Sequence, residues 1–220
     1  MKEFVNQKDA ASYFVEWMKR PKKNKALLFY GPPGVGKSAL IEAYAKENNL
    51  DVIQMNASDF RSAKDIREVI GKSMVQQTLF RRGKIFFIDE IDGLFGREDF
   101  GGASELVNAI RESKHPVVLS ANNPYNPKLK ALRNYCTLVK FDKISVWDSE
   151  KRLRHICGNE GIETDDSVLK MLARMSNGDL RSAITDLESI SSGRKLITSK
   201  YLEDLGYRER ERNVFDALKI

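Results

Sequence analysis

Residues 31–38 have the types and the spacing of a phosphate-binding loop. They read GPPGVGKS and fit the pattern G-x-x-x-x-G-K-[ST]. In such a loop the glycines let backbone N–H groups turn towards an anion, and the N-terminus of the following helix adds partial positive charge. Lys37 is then predicted to reach the β- and γ-phosphates of ATP, or the β-phosphate of ADP, and the Ser38 hydroxyl to bind Mg²⁺. The residues predicted to contact the nucleotide are Gly31, Pro32, Pro33, Gly34, Val35, Gly36, Lys37, Ser38 and Ala39.

The segments on either side of this loop support the prediction. Residues 27–30 (LLFY) have the composition of a buried strand, and residues 39–45 (ALIEAYA) that of a helix. A Gly-rich turn that arose by chance is the alternative, but it would not require a strand before it and a helix after it. The strand–loop–helix order therefore favours nucleotide binding.

An acidic pair follows the apolar segment 85–88. Asp89 and Glu90 stand where that predicted strand ends, and Asp92 comes just beyond. Beside a phosphate-binding loop, Asp89 is predicted to hold the Mg²⁺ shell, and Glu90 to orient and polarise the attacking water. The alternative is a solvated acidic strand end.

Two further polar residues are candidates for the same chemistry. Asn122 ends the predicted strand 116–122, and we expect it near the γ-phosphate, between the acidic strand and the loop. The alternative for Asn122 is a turn-forming residue before Asn123 and Pro124. Arg181 lies at the start of a predicted helix and could reach the nucleotide phosphates when two domains close. Its alternative is an exposed helix arginine near an N-cap.

The remaining segments predict how these residues are positioned. Strands alternate with helices up to about residue 143, which predicts an α/β domain with a parallel five-stranded sheet flanked by helices. From Trp147 onward the strand signals stop, which predicts a small all-helical domain. The predicted strands are 27–30, 51–56, 84–89, 116–122 and 138–141, and the predicted helices are 8–20, 39–45, 62–78, 104–111, 148–158, 165–175 and 179–191.

The composition excludes several classes of protein. The 220 residues are 41% hydrophobic and 31% charged, as in ordinary globular domains, and no apolar run approaches the length of a membrane span. Two cysteines and two histidines make neither a disulfide framework nor a zinc site. The net charge of +6 is consistent with an anionic partner such as nucleic acid. The N-terminus has no signal-peptide pattern, so we expect a cytoplasmic protein.

Taken together, these motifs resemble those of the AAA+ ATPases, and specifically the clamp loaders of the replication factor C family. The segment 56–59 (NASD) is typical of these loaders, and Val5 with its neighbours resembles the motif that lies beside the adenine. By this resemblance residues 89–92 (DEID) correspond to the Walker B box, Asn122 to sensor 1 and Arg181 to sensor 2. The implied domains are a P-loop ATPase domain (1–143), a helical lid domain (144–205) and the start of a C-terminal collar helix (206–220).

One departure from the family pattern indicates the type of subunit. Small subunits of these loaders carry Ser-Arg-Cys, whose arginine reaches the ATP of a neighbour, whereas this chain has Asn134, Tyr135 and Cys136 at that place. Tyrosine cannot supply the positive charge of an arginine finger. The resemblance therefore implies a large subunit that needs a finger from a neighbouring subunit and hydrolyses ATP weakly alone. Because a collar domain should follow, we also expect the chain to be a fragment.

The same resemblance implies partners. They are the small subunits of the loader, a ring-shaped sliding clamp, and primer–template DNA held by its backbone, with no membrane; an archaeal loader would be associated with the nucleoid. The predicted DNA contacts are Arg61, Lys64 and Arg67, and the predicted clamp contacts are Met74, Leu79 and Phe80. A solvated basic helix face and ordinary core residues are the respective alternatives.

Two other functions stay open from the sequence. One is another AAA+ machine that remodels DNA, of the origin-binding or junction-helicase type. The other is a scaffold subunit that binds nucleotide with little turnover, although intact Lys37, Ser38, Asp89 and Glu90 argue against it.

Overall fold

The chain divides into two compact units between Asp142 and Lys143. The structure is a computed structural model that describes residues 6–59, 67–68, 83–94, 102–199 and 201. The predicted helix 62–78 therefore lies outside the described residues, except Arg67 and Glu68, which are helical. The predicted collar helix (206–220) lies outside them as well.

The first unit is built on a parallel sheet, as predicted. Its five strands run in the order β2-β3-β4-β1-β5. The strands are β1 (Ala26–Tyr30), β2 (Asp51–Asn56), β3 (Lys84–Asp89), β4 (Val117–Ala121) and β5 (Cys136–Lys140). The helices are α1 (Lys8–Lys19), α2 (Lys37–Asn48), α3 (Gly102–Glu112) and α4 (Lys130–Arg133). Short 3₁₀ turns, which the sequence pattern does not predict, span Ala57–Asp59, Ile91–Leu94 and Pro127–Leu129.

The three central strands are apolar because both faces of the sheet are covered. Alternate residues of each strand point to opposite faces. On one face Leu28, Phe86 and Leu119 pack with residues of α3 and α4 in a single apolar cluster. On the other face Phe29 meets Phe14 of α1, with ring centroids 5.4 Å apart. Burial on both sides holds the central strands in one register, and that register sets where their ends lie.

The strand order brings the candidate site residues to one edge of the sheet. β4 lies between β1 and β3, and it pairs in parallel with both. Leu119 is in register with Leu28 of β1 and with Ile88 of β3. The carboxyl ends of all three strands therefore meet at the edge where Gly31, Glu90 and Asn122 follow them.

The second unit contains the three predicted helices. They are α5 (Val146–Glu160), α6 (Asp166–Met175) and α7 (Leu180–Ser191), and their apolar faces form a second core. The structure adds two parallel strands of two residues each, β6 (Glu163–Thr164) and β7 (Leu196–Ile197), where only helices were predicted. Within the described part of the chain, no helix combines the length and the apolar character needed to cross a membrane.

Candidate functional site

The loop between β1 and α2 has the backbone that its glycines predict. Gly31, Gly34 and Gly36 all have positive φ angles, of 144°, 66° and 97°. At Gly31 the chain also passes very close to the end of β5, because a Cβ there would lie 2.2 Å from the carbonyl oxygen of Phe141. Glycine is the residue that accommodates both conditions. The loop then leads directly into α2, whose N-cap residue is Gly36.

The start of α2 can therefore face an anion. Gly36 has no side chain with which to satisfy the first N–H groups of the helix, and those groups carry the positive end of the helix dipole. Lys37 is the first helical residue, and its ammonium group donates hydrogen bonds of 2.7 Å to the carbonyl oxygens of Gly31 and Pro32. A contact of 3.5 Å joins the same nitrogen to Oδ1 of Asn122. The loop lysine and the predicted sensor residue thus lie together.

The two predicted Mg²⁺ ligands also lie together. The hydroxyl of Ser38 donates a hydrogen bond of 3.3 Å to Oδ2 of Asp89. Hydroxyl and carboxylate oxygens are the donors that Mg²⁺ prefers, usually completed by water and phosphate oxygens. The donor set of this structure fits a magnesium ion bound with a nucleotide.

Glu90 follows β3 with an uncommon backbone conformation. Its φ angle is +55°, although it is not a glycine, and its side chain is exposed. Its N–H group contacts Oδ1 of Asp89 at 3.1 Å and Oγ of Ser120 at 3.2 Å. Its carbonyl oxygen accepts a hydrogen bond of 2.8 Å from the N–H of Gly93. Both peptide groups of the residue are therefore held.

Sequence reasoning missed the contributions of Ser120 and Asp92. Ser120 lies in β4, is 1% exposed, and donates a hydrogen bond from its hydroxyl to Oδ1 of Asp89. Oδ2 of Asp92 accepts hydrogen bonds from the backbone N–H groups of Asn122 at 2.9 Å and Asn123 at 3.4 Å. In the sequence, Ser120 is only a serine within an apolar strand, and Asp92 is only an acid near a strand end. Neither pattern indicates which residue the side chain contacts.

Near the N-terminus, Gln7 ties the start of α1 to the end of the first unit. Its side-chain amide donates a hydrogen bond of 2.7 Å to the carbonyl oxygen of Asp142, and its Oε1 accepts one of 3.2 Å from the N–H of Asp142. Gln7 is only 4% exposed, so this pair is well protected from water. Val5, the predicted adenine neighbour, lies outside the described residues.

The other predicted site residues are Arg67, Arg181 and five residues outside the described part of the chain. Arg67 forms a two-bond ion pair with Glu105 of α3, with N–O distances of 2.8 and 3.1 Å. Arg181 is an exposed residue of α7 in the second unit, where Asp179 caps the helix by accepting from Ser182 N–H at 2.9 Å. The predicted contacts outside the described residues are Arg61, Lys64, Met74, Leu79 and Phe80.

Comparison with known proteins identifies the family. Residues 27–143 match the family described as ATPase family associated with various cellular activities (AAA), and residues 151–192 match the RCF1/5-like, AAA+ ATPase lid domain. The chain therefore belongs to the AAA ATPase family, and its second unit contains a lid of the replication factor C type. This confirms the resemblance predicted from the motifs.

Individual relatives are named more narrowly than the family. The chain is 40% identical to the replication factor C large subunit of Staphylothermus marinus, over 99% of this chain and 52% of that protein. It is 41% identical to the protein of the same name from Nanoarchaeum equitans, over 99% of this chain and 51% of that protein. The chain thus spans about half the length of these curated relatives.

Solved structures support the fold alone. The Thermotoga maritima RuvB Holliday junction branch migration motor superimposes with a TM-score of 0.69 at 20% identity, covering 93% of this chain and 70% of that one. A second RuvB structure from that organism, a K64R mutant, gives a TM-score of 0.70 at 19% identity, over 92% of this chain and 69% of that one. At such identities the likeness carries no information about function.

Proposed function

We propose that this chain binds Mg–ATP and hydrolyses it as the ATPase module of a clamp-loader large subunit. The observation that carries the proposal is the meeting of the loop, β3 and β4 at one edge of the sheet. There Lys37 contacts Asn122, and Ser38 contacts Asp89. These are the groups that phosphoryl transfer to water requires, and they come from three different elements.

Binding follows from the loop and from the N-terminus of α2. The backbone N–H groups around Gly34 and Gly36 cradle the phosphates, and Lys37 adds its positive charge. Ser38 and Asp89 are the residues that would hold the magnesium ion, which neutralises the negative charge that develops on the phosphates. ADP binds through the same loop.

Hydrolysis requires groups that act on the attacking water and on the γ-phosphate. Glu90 accepts the proton of that water, and its exposed carboxylate on a rigidly held backbone suits this role. Asn122 donates a hydrogen bond from its amide to the γ-phosphate, and the contact of its Oδ1 with Lys37 at 3.5 Å supports this role. Arg181 contributes from the lid when nucleotide is bound. Tyr135 stands in place of a finger arginine, so a neighbouring subunit supplies that charge.

The wider role rests on the names of the relatives and on the lid family. The curated relatives are named replication factor C large subunit, and this chain shares the ATPase domain and the lid over nearly all of its length. We infer that small subunits of the loader, a sliding clamp and the backbone of primer–template DNA are its partners, in the cytoplasm and near the nucleoid. ATP binding would order the assembly and open the clamp, and hydrolysis would release it on DNA.

Among the proposed DNA contacts, Arg67 is the one within the described residues. Its side chain is 73% exposed and paired with Glu105. Because the arginine side of this pair is open to solvent, a DNA phosphate can compete with the carboxylate of Glu105 for the guanidinium group. Contacts of this type are independent of sequence and weaken steeply with salt.

Glu90→Gln tests the enzymatic part of the proposal. This variant removes the proton acceptor while retaining size and hydrogen bonding, so ATP affinity should stay within about threefold, and turnover with the small subunits present should fall by about 100-fold or more. Glu160→Gln, at the exposed end of α5, is the matched control and should hydrolyse ATP at the wild-type rate. Equal turnover of wild type and Glu90→Gln would remove Glu90 from its assigned role.

Binding to a sliding clamp from the same organism tests the loader part. Saturable binding that is strengthened by ATP and weakened by alanine at Leu79 and Phe80 is expected. A folded, ATP-binding chain that shows no affinity for the clamp would instead favour another AAA+ machine that acts on DNA.

A further inference from the structure

The conformation of Glu90 needs a structural cause. A non-glycine residue at a φ angle of +55° is strained, and it persists only where the surrounding structure determines the orientation of both of its peptide groups. The carbonyl side is held by the N–H of Gly93 at 2.8 Å. The N–H side is shared between Asp89 and Ser120. Ser120 is the one of these partners that belongs to a different strand.

The hydroxyl of Ser120 links the two acidic residues of the candidate site. It has one proton, which it donates to Oδ1 of Asp89, and its lone pairs are left to accept the N–H of Glu90 at 3.2 Å. Ser120 is 1% exposed, and it is in register with Phe29 in the middle of the sheet. A buried hydroxyl on a central strand has little freedom to move.

The same contact separates the tasks of the two oxygens of Asp89. Oδ1 is occupied by Ser120 and by the N–H of Glu90, whereas Oδ2 faces the hydroxyl of Ser38 at 3.3 Å. A partial rotation of the carboxylate would lengthen these contacts together. Ser120 thereby holds the plane of the Asp89 carboxylate so that one oxygen faces Ser38.

We propose that Ser120 is a positioning residue, which ties the Asp89 carboxylate and the left-handed Glu90 backbone to β4. This inference rests on the proposed ATPase function, since it assigns Ser120 to the same site. Ser120 itself touches neither phosphate nor water in this role. It acts through the orientation of Asp89 and Glu90, and the hydrogen-bond network extends from β3 to β4, the strand that Asn122 follows.

Three variants separate positioning from general stability. Ser120→Ala removes both hydrogen bonds, and Ser120→Thr restores a hydroxyl at the same place. Ser113→Ala is the matched control, because the Ser113 hydroxyl also donates one bond, to His115 O at 2.8 Å, and accepts one, from His115 N–H at 3.1 Å. Ser113 lies before β4, at the end of the strand away from the site.

Two measurements are made on the full chain. Amide hydrogen exchange of Glu90, followed by nuclear magnetic resonance without nucleotide, reports the bond itself. Ser120→Ala should accelerate the exchange of the Glu90 amide by about tenfold. This is the factor expected for the loss of one hydrogen bond next to a charged carboxylate. ATP turnover under single-turnover conditions, with the small subunits present to supply the finger arginine, should fall by a similar factor of about ten, with ATP affinity within about threefold of wild type. Ser120→Thr should return both values to within about threefold of wild type, and Ser113→Ala should change neither.

The outcomes are distinct. Unchanged Glu90 exchange in Ser120→Ala would overturn the inference, and so would equal losses in Ser113→Ala, which would indicate a general effect on stability. If the wild-type chain binds no ATP, the proposed function fails. The amide exchange of Glu90 is measured without nucleotide, so it still shows whether Ser120 stabilises the backbone conformation of Glu90. Faster exchange with rescue by threonine supports the inference.

Discussion

Replacing Gly31 with alanine places a methyl group where the chain has no room for it. The added Cβ would lie 2.2 Å from the carbonyl oxygen of Phe141, about 1.2 Å closer than the 3.4 Å at which ordinary contact begins. That carbonyl is backbone, and the N–H of the same residue donates a 2.7 Å hydrogen bond to Tyr30 O. The clash therefore cannot be relieved by rotating a side chain.

The magnitude follows from two unfavourable contributions and one favourable one. Forced overpacking costs about 1–3 kcal/mol and a backbone conformation that only glycine adopts easily another 1–3 kcal/mol, while alanine reduces the entropy of the unfolded chain by about 0.4–1 kcal/mol. The free energy of unfolding of the first unit should fall by about 1–5 kcal/mol, a large part of the total for such a domain. The φ angle of +144° at Gly31 is the reason that the second contribution applies.

Urea unfolding followed by tryptophan fluorescence measures this change. Trp17 is 6% exposed in the first unit, so its emission should shift on unfolding, whereas Trp147 is 67% exposed and should change little. Gly193→Ala is a control for the backbone contribution alone, because its φ angle is +71° and nothing lies within 4 Å of its Cβ position. Gly158→Ala, inside α5 with open space around it, should be stabilising by about 0.5–1 kcal/mol. Gly193 and Gly158 belong to the second unit, which Trp17 does not report, so the unfolding of these two variants is followed by the circular dichroism of the helices instead. A Gly31→Ala protein as stable as wild type would refute the reasoning.

Two further predictions concern the neighbouring strands. Asp92→Ala removes the acceptor of the backbone N–H groups of Asn122 and Asn123. ATP turnover, measured by single-turnover kinetics, should therefore fall by about tenfold, and ATP affinity, measured by equilibrium binding, should change little. Unaltered turnover would show that these hydrogen bonds are not needed to position Asn122. Burial and the charge of Lys84 lower the pKa of His115 in the folded chain, so the unfolded chain binds the proton first and the free energy of unfolding should decrease as pH falls through about 6.5. Urea unfolding at pH 7.5 and 5.5 should show this decrease, and His115→Gln should reduce it; an equal decrease in both proteins would assign the pH dependence to other groups.

Much of the fold follows from local patterns. The predicted strands 51–56 and 84–89 match β2 and β3 residue for residue. For β3 the reason is its apolar run 85–88, because such runs are typical of buried parallel strands. The strands β6 and β7 were not predicted, since two residues are too few for any periodicity. They pair across more than thirty positions, and such pairing depends on how the second unit packs.

The candidate site was predictable only in part, for a similar reason. The loop and the acidic pair are contiguous motifs, and their spacing indicates their chemistry. Ser120 and Asp92 act through partners on another strand, so their contributions depend on strand order and register, which local sequence does not specify. Gln7 is the extreme case, because its partner Asp142 lies 135 residues away.

The position of the Lys37 ammonium group has a thermodynamic consequence for ligand binding. Two of its hydrogen bonds go to carbonyl oxygens of its own loop, Gly31 O and Pro32 O. The ammonium group has three N–H donors, so a phosphate that recruits more than one of them displaces a loop carbonyl, and binding then exchanges hydrogen bonds in part instead of only adding them. The enthalpy gained at this contact is smaller than a simple count of new bonds suggests, as for other exchanges between polar partners. The same two carbonyl dipoles stabilise the positive charge of Lys37 within the loop itself. The loop therefore keeps its conformation without a bound nucleotide.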